Sequence, residues 1–140
     1  MLLEALIAIL IFSMGILAIV GMQAASIKQA SDAKYRSDAN LLVNELIGQM
    51  WVSDRTAATL AASFTTGGAA YTAWLGDHDT PGSVAATLPG ADSNPPAVTV
   101  VQVPGNNPPT TTSSLVTIQV FWQAPGEDAP HNHIAITQIK

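Results

Sequence analysis

Cysteine is missing from all 140 residues, which excludes a disulfide scaffold, a thiolate metal site and a cysteine nucleophile. Cations are nearly missing from the second half: beyond Thr56 the only Lys or Arg is Lys140, set against Asp77, Asp79, Asp92, Glu127 and Asp128. The formal net charge is −5, with no cluster of basic residues to displace phosphate counterions, so a nucleic-acid role is set aside. Recognisable catalytic patterns are also lacking. The chain contains no GxSxG, no HExxH and no glycine-rich phosphate loop, and neither an enzyme nor a cofactor is expected.

Charge of either sign is missing from residues 5–27. Twenty-three uncharged, mostly apolar residues in a row make a helix of about 34 Å, long enough to cross a hydrocarbon core of about 30 Å. A cleaved secretory signal would carry a cationic stretch ahead of its apolar run, whereas only Met-Leu-Leu-Glu precedes this one. The helical pattern also continues beyond it. Lys28 with Asp32, Asp32 with Arg36 and Lys34 with Asp38 are opposite charges four residues apart, the spacing that places them on one helix face.

From Tyr35 the apolar residues settle onto a stripe through Ala39, Leu42, Val43, Leu46, Met50, Ala57, Leu60, Ala61 and Phe64, widened by Ile47 and Trp51. Steps of three and four predict an amphipathic helix with a packed face. Thr65, Thr66, Gly67 and Gly68 supply stop signals, which puts the end of one continuous helix near Ser63. Residues 69–96, rich in Gly, Pro, Asp and Ser, read as an irregular surface connection.

Three strands are expected after that, over residues 97–103, 115–123 and 131–139. The first two are separated by the long turn PGNNPPTTTSS, where Ser and Thr beside prolines read as plain loop. In the second strand Val116, Ile118, Val120 and Trp122 share a face, and in the third Ile134, Ile136 and Gln138 do. Neighbouring strands joined by turns predict an antiparallel meander. Its apolar face and that of the amphipathic helix have no other partner in the sequence, so the fold class is α+β with the helix packed on the sheet. Three regions result: residues 1–27 as the apolar, membrane-spanning half of the helix, 28–63 as its amphipathic half, and 64–140 as a β-rich head.

Glu4 is the most informative residue. A carboxylate within a membrane span costs on the order of 3 kcal/mol at the centre and less near an end, and it is normally retained with a partner. No Lys, Arg or His lies between Glu4 and Lys28. Its partner is therefore a chain terminus, a lipid headgroup or another molecule; the plainer alternative leaves Glu4 at the aqueous end of a simple anchor. Helix contact along the apolar segment is assigned to Leu6, Ile9, Leu10, Phe12, Gly15, Leu17 and Gly21, the two glycines allowing close approach in lipid.

Other candidates carry less. His131 and His133 share a strand face and with Glu127 or Asp128 would offer metal ligands, but no third ligand stands at a recognisable spacing, so surface or strand-edge histidines and no metal are expected. Asp77-His78-Asp79 lacks the alternating oxygen ligands of a calcium loop and reads as a solvated turn. Trp51 and Trp122 fall on faces expected to be buried, leaving Trp74 as the remaining tryptophan for a binding surface.

Leu2-Leu3-Glu4 followed by ALIAILIFSMGILAIVGMQ resembles the N-terminal segment of type IV pilins and pseudopilins. Gly21-Met22-Gln23, Tyr35-Arg36-Ser37 and the run from Leu41 to Arg55 resemble the minor pilins within that family. The similarity covers about the first 55 residues. It implies a prepilin peptidase that cuts a leader after a glycine, methylation of the new N-terminus, and pairing of Glu4 with the terminal amine of a neighbouring subunit. It implies inner-membrane anchoring with the head in the periplasm, incorporation into an extracellular pilus, and other minor pilins and the major pilin as partners.

The family glutamate usually stands one residue further from the mature start, so one residue is expected to be missing ahead of Met1. The apolar helix has no proline and the chain no C-terminal disulfide loop, unlike many major pilins, which favours a minor component. The function implied is that of a minor pilin in pilus assembly. A minor pseudopilin of a type II secretion system and a membrane-anchored adhesin remain as alternatives.

Overall fold

The computed structural model describes residues 1–104 and 113–140. The chain forms α1 (Leu2–Val52), α2 (Ala57–Phe64), α3 (Ala69–Leu75), α4 (Val84–Thr87), β1 (Ala97–Val103), β2 (Ser113–Trp122) and β3 (His131–Ile139). It divides into two compact units, Met1–Lys34 and Tyr35–Lys140. The first unit is helix throughout from Leu2. Over residues 5–27 it carries no charge on any side, which is the pattern of a helix whose surroundings are not water.

The second unit holds the core. Ala39, Leu42, Val43, Leu46 and Met50 of α1 are buried with Val116, Ile118, Val120 and Trp122 of β2 in one cluster. The three-stranded sheet is antiparallel in the order β1-β2-β3, so this is an α+β fold with a long N-terminal helix packed on a meander. β2 is central and its inner face is closed by the helices, which is why its alternate residues are completely buried while the intervening ones are not.

Four expectations are corrected. The helix does not run unbroken to Ser63: α1 stops at Val52 and α2 starts at Ala57. The cause lies in Ser53-Asp54-Arg55-Thr56. Ser53 Oγ donates to Met50 O at 2.9 Å, and Thr56 caps α2 by accepting from the Thr59 amide. Asp54 braces that cap, receiving the Thr56 amide on one oxygen and the Thr59 hydroxyl on the other. These hydrogen bonds hold the carboxyl of Asp54 below its ordinary value, the Thr56 amide contributing most.

Residues 69–96 are not an irregular surface connection. They contain α3 and α4 and bury Tyr71, Trp74, Val84, Ala85, Leu88 and Ala91. Tyr71 and Trp74, three apart on α3, reach inward with ring centroids 6.2 Å apart. The Tyr71 hydroxyl donates to Pro96 O at 2.7 Å and Trp74 Nε1 to Leu42 O at 3.0 Å. Burial raises the Tyr71 phenol above its ordinary value. Gly76 ends α3 at φ +57, and a Cβ there would collide with the Ser83 side chain, so only glycine lets residues 77–83 fold back tightly.

Trp51, expected on a buried face, is 44% exposed. α1 is in its last turn there and the stripe of core contacts ends at Met50. The second strand begins earlier than expected, at Ser113 rather than Leu115. Ser113 and Ser114 pair with Val103 and Gln102. The remainder of the turn read from PGNNPPTTTSS falls on residues 105–112, which lie outside the described residues.

Candidate functional site: an exposed apolar helix with one carboxylate

The feature that the fold leaves unexplained is the surface of the first unit. Among the described residues one helix, near the N-terminus, is long and apolar enough to cross a membrane, and none of its apolar window is buried within the chain. Leu6, Ile9, Leu10, Phe12 and Leu17 are each at least 60% exposed, and added side-chain atoms at Gly15 or Gly21 would meet nothing. Fully burying a Leu, Ile or Phe side chain contributes roughly 1.5–3 kcal/mol. A run of exposed residues of this kind is tolerated only where lipid or other protein replaces water.

Glu4 sits in the first turn of α1 and is exposed. Its negative charge is favoured there by the free amides of the helix start. Among the described residues no cation or hydrogen-bond donor meets its carboxylate. The residues assigned from the sequence are thus all on one helix, all on its surface, and none is used by the core.

The weaker candidates resolve as follows. His131 and His133 both lie on the inner face of β3, as their spacing predicts. His131 Nε2 stands 2.5 Å from a Glu127 oxygen, with the Glu127 side chain only 7% exposed. The imidazole stacks on Trp122, centroids 5.8 Å and planes 18° apart. His131 is thus anchored on the edge strand, in line with the strand-edge reading; the turn that returns Glu127 to His131 gives no sequence signal beyond an i,i+4 spacing. Trp122 is buried as expected.

Asp77, His78 and Asp79 are exposed, as expected of a solvated turn. Asp77 accepts from the Thr80 hydroxyl and the Asp79 amide. Its carboxyl is lowered, chiefly by the Thr80 hydroxyl. His78 pairs with Asp92 at 2.5 Å. Trp74 is buried, which removes it as an exposed binding-surface residue; it lines a groove of about 160 Å³ with Glu45, Gln49, Thr80 and Ser83. A second groove of about 240 Å³ lies between Asp38, Leu41, Glu45 and Thr87. Both are smaller than the roughly 300 Å³ at which small-molecule sites begin.

Comparison with known proteins returns no match: no family model, no curated protein and no solved structure is significantly similar to this chain.

Proposed function

We propose that this chain is a membrane-anchored subunit of a type IV pilus-like machine, acting as a minor pilin in assembly or priming of the filament. The observation that carries the reading is Glu4: an exposed carboxylate, without a partner among the described residues, at the head of a helix whose apolar stretch is not buried within the chain. An apolar helix alone supports an anchor. An apolar helix with a carboxylate that meets no counter-charge among the described residues supports an anchor that docks to something positively charged.

The N-terminal resemblance, strongest to the minor pilin PilV, supplies that partner as the terminal amine of a neighbouring subunit. In this reading Leu6, Ile9, Leu10, Phe12, Gly15, Leu17 and Gly21 pack laterally against other subunits, and the head faces the periplasm before it reaches the filament. The partners are other minor pilins and the major pilin, and the prepilin peptidase is the processing enzyme. No catalytic step is assigned to the head.

Replacing Glu4 by Ala tests the reading. The variant is expected to reach the membrane normally and to lose incorporation into filaments. A pseudopilin would instead be required for protein secretion while surface pili remain intact, and an adhesin would be dispensable for piliation but required for attachment.

A further inference from the structure

The turn between β2 and β3 directs an acidic side chain inward. Pro125, Gly126, Asp128 and Ala129 are exposed there, as turn residues ordinarily are, whereas the Glu127 side chain is only 7% exposed. Its backbone is held for this. The Glu127 amide donates to Ala124 O at 3.1 Å, Gln123 Nε2 donates to Glu127 O at 2.8 Å, and Gly126 supplies the φ of +84 that reverses the chain. The carboxylate arrives beside His131, whose ring is fixed by its stacking on Trp122.

This contact differs from the other histidine–carboxylate contact. His78 Nε2 and Asp92 Oδ2 are 2.5 Å apart and aligned as a hydrogen bond. His131 Nε2 and Glu127 Oε2 stand at the same distance without hydrogen-bond alignment. A ring nitrogen and a carboxylate oxygen that meet without a proton on the line between them converge on a common point, as two ligands of one metal ion do. Ligands about 2.1 Å from a tetrahedral zinc ion lie about 3.4 Å from each other, so a small parting of the two atoms admits the ion.

His133 is placed to complete the set. It lies two residues along β3, half-buried on the same face as His131, and so about 6.6 Å from it along the strand. As the side chains stand, His133 does not share the point on which Glu127 and His131 converge; rotation about its χ1 turns the imidazole toward them.

We propose that Glu127, His131 and His133 bind a zinc ion within the second unit, with water in the fourth position. Two imidazoles and one carboxylate suit zinc, whereas calcium and magnesium take oxygen ligands. Trp122 Nε1 is buried and has no hydrogen-bond partner among the described residues, so the ring packed on His131 keeps an unspent donor for a metal-bound water. The ion pins the turn to β3, and the site is independent of Glu4 and of the anchor.

Calorimetric titration of the full chain in detergent with zinc chloride tests the assignment. One ion per chain is expected. Affinity should fall at least tenfold in each of Glu127→Gln, His131→Ala and His133→Ala and stay unchanged in His78→Ala, which removes the other histidine–carboxylate contact. Calcium should not compete. His131→Ala also removes the stack on Trp122, so thermal unfolding of the same proteins is followed with and without zinc. Zinc is expected to raise the midpoint of the wild type and of His78→Ala, and to move Glu127→Gln and His133→Ala far less. The assignment is overturned by a lack of zinc binding, by affinity that survives Glu127→Gln or His133→Ala, or by an equal loss in His78→Ala.

Discussion

Glu4 and Trp74 show how differently single polar groups are treated in this molecule. Trp74 Nε1 is buried and spends its one donor on Leu42 O, so Trp74→Phe is expected to destabilise the head by about 1–3 kcal/mol, because a buried carbonyl keeps one fewer partner. Chemical denaturation of the full chain in detergent would measure it. Leu46, completely buried under the sheet, is expected to cost about 2–5 kcal/mol as Ala. Glu4 contributes nothing to the core, and Glu4→Gln is expected to leave that denaturation curve unchanged. Asp54 lies between these cases. Its hydrogen bonds lower its folded pKa below the ordinary 3.8, so its support for the start of α2 is fully present above about pH 4 and is lost as pH falls through the folded value. Amide exchange at Thr56 and Thr59 should accelerate through that acid window in the wild type, and Asp54→Ala should show the fast exchange already at neutral pH.

At the scale of elements, the sequence is most legible where burial imposes a period. The stripe from Ala39 to Met50 and the alternation from Val116 to Trp122 both reappear as core, because each is a single element facing a single partner. Short elements held by specific groups leave weaker traces. The break at residues 53–56 is made by an Asp–Thr cap, and its four polar residues interrupt the apolar stripe too briefly to be told from an exposed turn of helix. α3 and α4 are seven and four residues long, below the length at which helical periodicity stands out from composition, and their abundant Gly and Pro neighbours read as loop. Gly76 and Ser83 are the legible remainder: a glycine where φ is positive and a serine that caps α4. Gly76→Ala is expected to lower stability by about 1–3 kcal/mol through backbone strain and the clash with Ser83. Thr80 and Ser83 chemical shifts should report that change locally.

For the molecule as a whole, the two units divide the work. The second unit, Tyr35–Lys140, contains every residue of the buried core among the described residues, and the first unit contains the apolar surface without a protein partner among the described residues. Charging the middle of that surface should therefore damage location and spare folding. Leu10→Lys is expected to impose about 2.5–3.5 kcal/mol on insertion, shifting the chain out of the membrane fraction while protease resistance of the head persists. The candidate residues on this helix were legible from the sequence because lack of charge over residues 5–27 needs no knowledge of the fold. In the proposed function what they dock against lies on another molecule, and no residue of this chain encodes it directly.

The central claim, that Glu4 turns an anchor into an assembling subunit, is tested most directly by quantifying the Glu4→Ala chain in sheared surface filaments relative to its amount in the inner membrane. The account predicts an unchanged membrane level with incorporation reduced at least tenfold. Equal incorporation of wild type and Glu4→Ala would contradict it.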